Sequence, residues 1–228
     1  MMASIDGCIS PGKGRRTEEW KNLIKGYNHY YKVEKGFKAD AWMCGRVTME
    51  EYASGKNTFL PRVNRAKVND TKYLAEPDFK GQYAIVVDTQ GRLRWKSNLI
   101  FDTDHLIIIV TEQTPKKFLT YLRDRKVSYI IGGREHVRFK KVLEVLKKNF
   151  SVRKLLIEGG GKLNGSLLQE GLIDEISLIV IPLIIGGSDA PTLFNREPLR
   201  NTDSPSKFRL THVRKLDNNL IWLRYKKL

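Results

Sequence analysis

Short, almost unbroken apolar runs recur along the chain, and most of them close on Gly, Asp or Thr. They occupy residues 40–45 (DAWMCG), 83–88 (YAIVVD), 105–111 (HLIIIVT), 128–133 (SYIIGG) and 154–159 (KLLIEG). Runs this short, rich in Ile, Val and Leu, suit strands covered on both faces of a sheet. Between them the apolar positions fall at helical spacing. Residues 114–126 (TPKKFLTYLRDRK) set Thr114 as a cap and Pro115 in a first turn, with Phe118, Leu119 and Leu122 along one face. Residues 137–150 (VRFKKVLEVLKKNF) do the same with Val137, Val142, Val145 and Leu146. A further helix is read over 18–36, interrupted by Gly26. Strand followed by helix, repeated, predicts an α/β domain with a largely parallel sheet.

The last stretch changes period. Residues 208–227 alternate apolar and polar positions around Asp217-Asn218-Asn219, which predicts a hairpin and an antiparallel portion of the sheet. The longest apolar run, 176–185 (ISLIVIPLII), contains Pro182 and is strand-sized, too short to cross a bilayer. Residues 54–82 and 188–206 read as irregular, and no internal repeat is present. The expectation is one mixed-sheet domain over residues 1–228.

Composition narrows the function classes. The formal charge is +16, from 41 Lys and Arg against 25 Asp and Glu. Such a balance fits a solvated basic surface, an anionic small molecule or a nucleic acid. The basic residues are spread over helical patterns, with no basic tail and no aromatic-rich strand of the RNA-binding kind, which disfavours nucleic acid. Cys8 and Cys44 form no CxxC pair, so reduced thiols are expected. The four histidines, His29, His105, His136 and His212, stand in no metal-binding context, and no metal is expected. The start, MMASIDGCIS, has no basic region leading into an apolar core, so the expected location is the cytoplasm.

One stretch asks for chemistry. Residues 155–168 (LLIEGGGKLNGSLL) end an apolar strand on Glu158, pass through Gly159, Gly160 and Gly161, and enter a helix with Leu163, Leu167 and Leu168 on one side. Glycines at such a turn let backbone N–H groups approach a phosphate, and the helix N-terminus adds partial positive charge. The alternative is a tight turn that simply needs positive φ angles. Spacing does not separate the two.

The block from residue 155 to residue 194 resembles the reductase domain of the riboflavin-biosynthesis deaminase–reductase family, on EGGGKLNGSLLQEGLIDEISL and PLIIGGSDAPTLF. MASIDGCIS, DAWMCGRVTMEEY and VVDTQGRL agree in order across nearly the whole chain. The resemblance implies a three-layer dihydrofolate-reductase-like fold: a mixed, mostly parallel central sheet, helices on both faces and a C-terminal antiparallel hairpin. It implies NADPH as hydride donor, with Ala3 at the nicotinamide end. Gly45, Arg46, Thr48 and Thr89 would contact the cofactor, and Gly160, Gly161, Lys162, Leu163, Asn164, Gly165 and Ser166 would wrap its phosphates. GRVT (45–48) is similar to the Gly-Arg-x-Thr element of dihydrofolate reductases, which makes Arg46 the candidate for the 2′-phosphate; a surface arginine is the alternative. Glu158 would meet the substrate beside the nicotinamide, orient its hydroxyl or amino groups and handle a proton; otherwise it caps a helix dipole. Asp6, closing SIDG, is either catalytic or a turn former. Trp20 either flanks substrate and cofactor or is a core aromatic.

The resemblance thins after Thr48. The family's riboflavin reductases carry a DDPxLTxR element there; here Tyr52 stands in place of an aspartate and no LTxR follows, with Arg62 and Arg65 the nearest arginines. The expected activity is therefore an NADPH-dependent reductase of riboflavin synthesis, delivering hydride to C1′ of a ribosylamino-pyrimidine 5′-phosphate. A reductase of the same fold for another pterin-like or carbonyl substrate is the alternative, and a basic nucleic-acid-binding protein the second. The apolar strands near the chain end suggest a homodimer. No deaminase domain is expected to precede this one, and the first strand is expected to start unusually close to Met1 for this fold.

Overall fold

The structure, a computed structural model, describes residues 1–12, 27–56, 60, 70–195 and 204–228. The elements in the first half of the chain are β1 (Met2–Ser4), α1 (Tyr27–Gly36), β2 (Ala41–Gly45), α2 (Arg46–Met49), β3 (Gly55–Lys56), β4 (Lys72–Tyr73), β5 (Tyr83–Val87), β6 (Leu93–Arg94), β7 (Leu99–Ile100) and β8 (Asp104–Val110). There follow α3 (Lys116–Asp124), β9 (Ser128–Ile131), α4 (Phe139–Asn149), β10 (Leu155–Gly159), α5 (Gly161–Gln169), β11 (Glu175–Ile181), β12 (Phe208–Lys215) and β13 (Ile221–Lys227). Contacts gather into two units, one of Met1–Lys38 with Gly159–Leu228 and one of Ala39–Glu158.

The unit Ala39–Glu158 carries the sheet that the apolar runs predict. Its path is β10-β2-β5-β8-β9-β4, with β7 beside β8. Strands β2, β5, β8 and β9 are parallel, in the register Ala41↔Tyr83, Tyr83↔His105 and Ile107↔Ser128. All seven residues of β8 are buried, as a central strand covered on both faces requires. On one face Cys44, Val86 and Ile108 pack with Phe118, Leu119 and Leu122 of α3. On the other face Tyr83 meets Phe150, just beyond α4, edge-on at 5.6 Å. The expected mixed, mostly parallel sheet with helices on both faces is therefore present in this unit.

Two details of the helices differ from the sequence expectation. Pro115, not Thr114, is the N-cap of α3, and it makes no side-chain cap bond; the Thr114 hydroxyl is used elsewhere. Helix α4 begins at Phe139 because the chain first turns at Gly132, whose carbonyl accepts the Arg138 N–H at 3.1 Å. Val137 thus precedes the helix, Phe139 takes the first core position with Val142 and Leu146, and Val145 is half-buried.

In the other unit the sheet order is β1-β11-β13-β12. Strand β1 runs parallel to β11, while β13 is antiparallel to both β11 and β12. The predicted hairpin is there, turning at Asn218 and Asn219, both at φ 58, a region asparagine tolerates better than most residues. It pairs with β11 through β13. Tyr30 and Val33 of α1 pack against Ile179 and Ile181. The predicted helix over 18–36 is seen from Tyr27; its earlier residues lie outside the described ones. Among the described residues no helix is long and apolar enough to cross a membrane.

Candidate active site

Parallel strands bring their C-terminal ends to one side of a sheet, where loops collect chemistry. In Ala39–Glu158 this side carries Gly45, the turn after β5 and Glu158. Strands β10 and β2 start together, the Asp40 N–H donating to Lys154 O at 2.9 Å. Four residues along β10, Glu158 therefore reaches the same end as Gly45, half-buried. Gly45 caps α2 without a side-chain bond. Arg46, one residue on, is half-buried and ion-paired with Glu50, whose second oxygen takes the Lys56 ammonium at 2.7 Å. Thr48 is exposed.

Thr89 sits in a turn tied down by several hydrogen bonds. The Gly91 N–H closes it onto Asp88 O at 3.1 Å, and the buried Asp88 carboxylate accepts the Leu93 N–H at 2.8 Å. Gly91 is at φ +61, and a Cβ there would lie 2.7 Å from the Phe118 ring, so glycine is required. The Thr89 carbonyl accepts the Thr114 hydroxyl at 2.7 Å and the Thr111 hydroxyl at 3.3 Å. Thr114 Oγ1 in turn accepts the Thr111 N–H at 3.1 Å. Both threonines are buried. The end of β8 thus grips the end of β5.

The glycine turn belongs to the other unit. Its three glycines do different work. Gly159 is at φ +97, which asks for glycine on conformational grounds, and the Gly159–Gly160 peptide is cis. Gly160 caps α5 with nothing within 4 Å of where a Cβ would stand. At Gly161 a Cβ would lie 2.3 Å from Thr192 O, and the backbone accepts the Asn195 N–H at 3.0 Å. The Asn195 side chain accepts the Thr192 N–H at 3.0 Å, and the Asn164 amide donates to Leu193 O at 2.8 Å. The 192–195 segment is therefore laced onto the first turn of α5.

No side chain caps α5 and no acid lies in its first turn. Its leading N–H groups, with the exposed Lys162 beside them, present a positive end that suits a phosphate. Leu163, Asn164 and Gly165 are buried, so of the predicted phosphate wrap the outward-facing members are Gly160, Lys162 and Ser166. Asn164 Oδ1 is buried with no protein hydrogen bond. The leading N–H groups of α5 and the Lys162 ammonium, not the accepting Asn164 Oδ1, are the donors that fit a dinucleotide phosphate.

Ala3 is buried on β1, opposite Val180. Asp6 is tied into its loop: it accepts the Ser4 hydroxyl, the Gly186 N–H at 2.7 Å and the Ile185 N–H at 3.2 Å. These bonds, the Ser4 hydroxyl foremost, hold the exposed carboxylate down to about 2. So anchored, Asp6 is a loop clamp that stays ionised. Burial, with the Asp6 charge second, pushes the Cys8 thiol up; Cys8 and Cys44 are both free and buried. Trp20, Arg62 and Arg65 lie outside the described residues. Among the described residues no group of His, Cys, Asp or Glu is placed to hold a metal ion.

Sequence reasoning missed Thr111, Thr114, Thr192 and Asn195. The signal for Thr114 was taken for a helix cap, and PTLFN carried no chemistry beyond the resemblance.

Residues 1–222 match the model of the RibD C-terminal domain. A curated relative from Aquifex aeolicus, named 2,5-diamino-6-ribosylamino-4(3H)-pyrimidinone 5′-phosphate reductase, is 26% identical over 91% of this chain and 85% of its own length. One of the same name from Methanothermobacter thermautotrophicus is 31% identical over 60% of this chain and 62% of its own. Among solved structures, Acinetobacter baumannii RibD matches the whole chain with a TM-score of 0.67 at 22% identity, and this chain spans 56% of it. The riboflavin biosynthesis reductase of Saccharomyces cerevisiae matches with a TM-score of 0.58 at 16% identity, over 87% of its length. The last two show the fold.

Proposed function

This chain belongs to the RibD C-terminal domain family, and we propose on that footing that it is the NADPH-dependent reductase of a ribosylamino-pyrimidine 5′-phosphate in riboflavin biosynthesis. The observation that carries the reading is the family match over residues 1–222, joined to an uncapped, acid-free helix start at the glycine turn. The substrate's ribose opens to an imine between C1′ and the exocyclic nitrogen; C1′ gains a hydride, the nitrogen a proton, and a ribitylamino chain results. NADPH, when bound, supplies that hydride. Gly160, Lys162 and Ser166, the outward-facing members of the turn, hold its phosphates through backbone N–H groups, one ammonium and one hydroxyl. By resemblance to the family, Gly45, Thr48, Thr89 and Ala3 are further cofactor-contacting residues. Arg46 takes the 2′-phosphate by exchanging part of its pairing with Glu50, which favours NADPH over NADH.

Glu158, at a strand end and half-buried, orients the pyrimidine's amino groups and manages the proton beside the imine nitrogen. Asp6 acts by fixing the 185–186 loop. The diamino compound, before deamination, is the proposed substrate, because the relatives quoted above carry its name.

The test is consumption of NADPH, followed by its absorbance, with the diaminopyrimidine phosphate, the deaminated counterpart and dihydrofolate offered in turn. Turnover is expected with the diamino compound and slower or none with the others. Oxidation of NADPH by dihydrofolate alone would replace the substrate; none with any of the three, from folded protein, would overturn the reading.

A further inference from the structure

Arg46 and Lys56 share a single carboxylate. Glu50, the C-cap of α2, accepts an Arg46 N–H on Oε1 and the Lys56 ammonium on Oε2, the second at 2.7 Å. Arg46 lies four residues back, where helical side chains meet. Lys56 arrives from outside the helix and is fixed by other bonds. In the β3–β6 pair it stands opposite Leu93, with Gly55 opposite Arg94. The Ser54 N–H adds a bond to Arg94 O at 2.8 Å. Leu93 itself is bound through its N–H to the Asp88 carboxylate, in the turn that carries Thr89. Gly45 and Val87 are register partners at the ends of β2 and β5. All three charges therefore gather beside the Thr89 turn, at the C-terminal ends of two adjacent strands.

One carboxylate is a poor match for this pair of cations. It carries a single negative charge, whereas a phosphate monoester near neutral pH carries about −1.5 to −2 and has three oxygens to share. With one cation on each oxygen of Glu50, a net positive charge is left over. The two cations are also spaced as two oxygens of one anion require. Exposure is graded: the Arg46 and Glu50 side chains are 25% and 26% exposed and that of Lys56 48%, so an incoming anion meets the lysine first.

We propose that Glu50 is an internal competitor of the dinucleotide's 2′-phosphate, and that Lys56 is the second cation that takes this phosphate, beside Arg46, when Glu50 gives way. This assignment rests on the reading of the chain as an NADPH reductase and names the residues that choose between NADPH and NADH. The 2′-hydroxyl of NADH has no charge with which to draw the two cations from the carboxylate. The 2′-phosphate of NADPH does, and Glu50 then becomes a like-charged neighbour that loosens its hold. Phosphate and carboxylate thus compete for the same two cations. The two side chains must therefore act with opposite sign: loss of Lys56 weakens NADPH, and loss of the Glu50 charge tightens it. An exposed lysine–glutamate pair without this role would leave both dinucleotides unaffected.

Calorimetric titration of the full chain with NADPH, with NADH and with adenosine 2′,5′-bisphosphate tests this. Lys56→Met keeps the aliphatic stem and should weaken NADPH about tenfold, the scale of one charge-assisted hydrogen bond, with NADH little changed. Glu50→Gln keeps the shape and should tighten NADPH about threefold, the scale of a partly exposed ion pair, again with NADH little changed. Adenosine 2′,5′-bisphosphate, which carries the phosphate without the nicotinamide, should follow NADPH in both variants. Circular dichroism checks folding, and Lys56→Gln replaces Lys56→Met if the latter fails to fold. Wild type that binds NADPH, with a folded Lys56 variant that binds it equally well or a folded Glu50→Gln that does not bind it tighter, overturns the proposal and leaves the reductase reading standing. Wild type that binds neither dinucleotide overturns both.

Discussion

The Thr89 carbonyl is held by two buried hydroxyls, those of Thr111 and Thr114, and this fixes which groups the turn after β5 can offer to a ligand. Thr114→Val keeps the shape and removes the hydroxyl, so the carbonyl loses its shorter bond and Thr111 N–H its acceptor. The expected result is a KM for NADPH raised about tenfold with kcat little changed, on the order of one hydrogen bond's free energy, and recovery in Thr114→Ser. Steady-state kinetics at saturating second substrate checks it; a fall in kcat alone would point to folding damage instead. Asp6 makes a pH prediction. Its carboxylate is held at about 2 against an ordinary 3.8, so the folded state binds fewer protons than the unfolded one in that window. The stability it lends is complete above pH 4 and is lost as pH falls toward 2. Asp6→Asn should flatten that portion of the acid limb in melting curves taken from pH 5 to pH 2, and an unchanged limb would show the loop clamp to be inert.

At the scale of elements, the glycine turn separates two demands. Gly161 is fixed by the close approach of Thr192 O, whereas space is open around Gly160. Gly161→Ala should cost about 1–3 kcal/mol by displacing the 192–195 segment, and NADPH affinity should fall with it. Gly160→Ala, sterically free, should melt near wild type and affect only the ligand that uses this backbone. Thermal melting with and without NADPH distinguishes the two. The strands of Ala39–Glu158 were legible because apolar runs buried on both faces leave an unbroken signature, and the hairpin because Asn218-Asn219 announces its turn. The glycines were legible as a turn, but their separate duties were not, since those depend on a carbonyl 31 residues later in the chain. Thr114 was misread for a physical reason: a threonine before Pro115 looks the same whether its hydroxyl caps a helix or reaches the neighbouring strand's end. Nor does alternation say which strands a hairpin joins, so its pairing with β11 appears only in the register.

For the whole molecule, the charge of +16 fits a protein that handles two anions, a dinucleotide and a sugar phosphate, because a positive field raises their local concentration and speeds their capture. The field is unspecific; in the proposed function selectivity is assigned to Arg46 and Glu158. The proposed reaction delivers hydride from a reduced nicotinamide to C1′ of a ribosylamino-pyrimidine phosphate. NADPH deuterated at the transferable position of the nicotinamide, incubated with the diaminopyrimidine phosphate and this protein, tests it most directly. The expected result is a ribitylamino product carrying one deuterium at C1′ by mass spectrometry and NMR. A product without the label at C1′, or no product from folded protein with both compounds present, would contradict it.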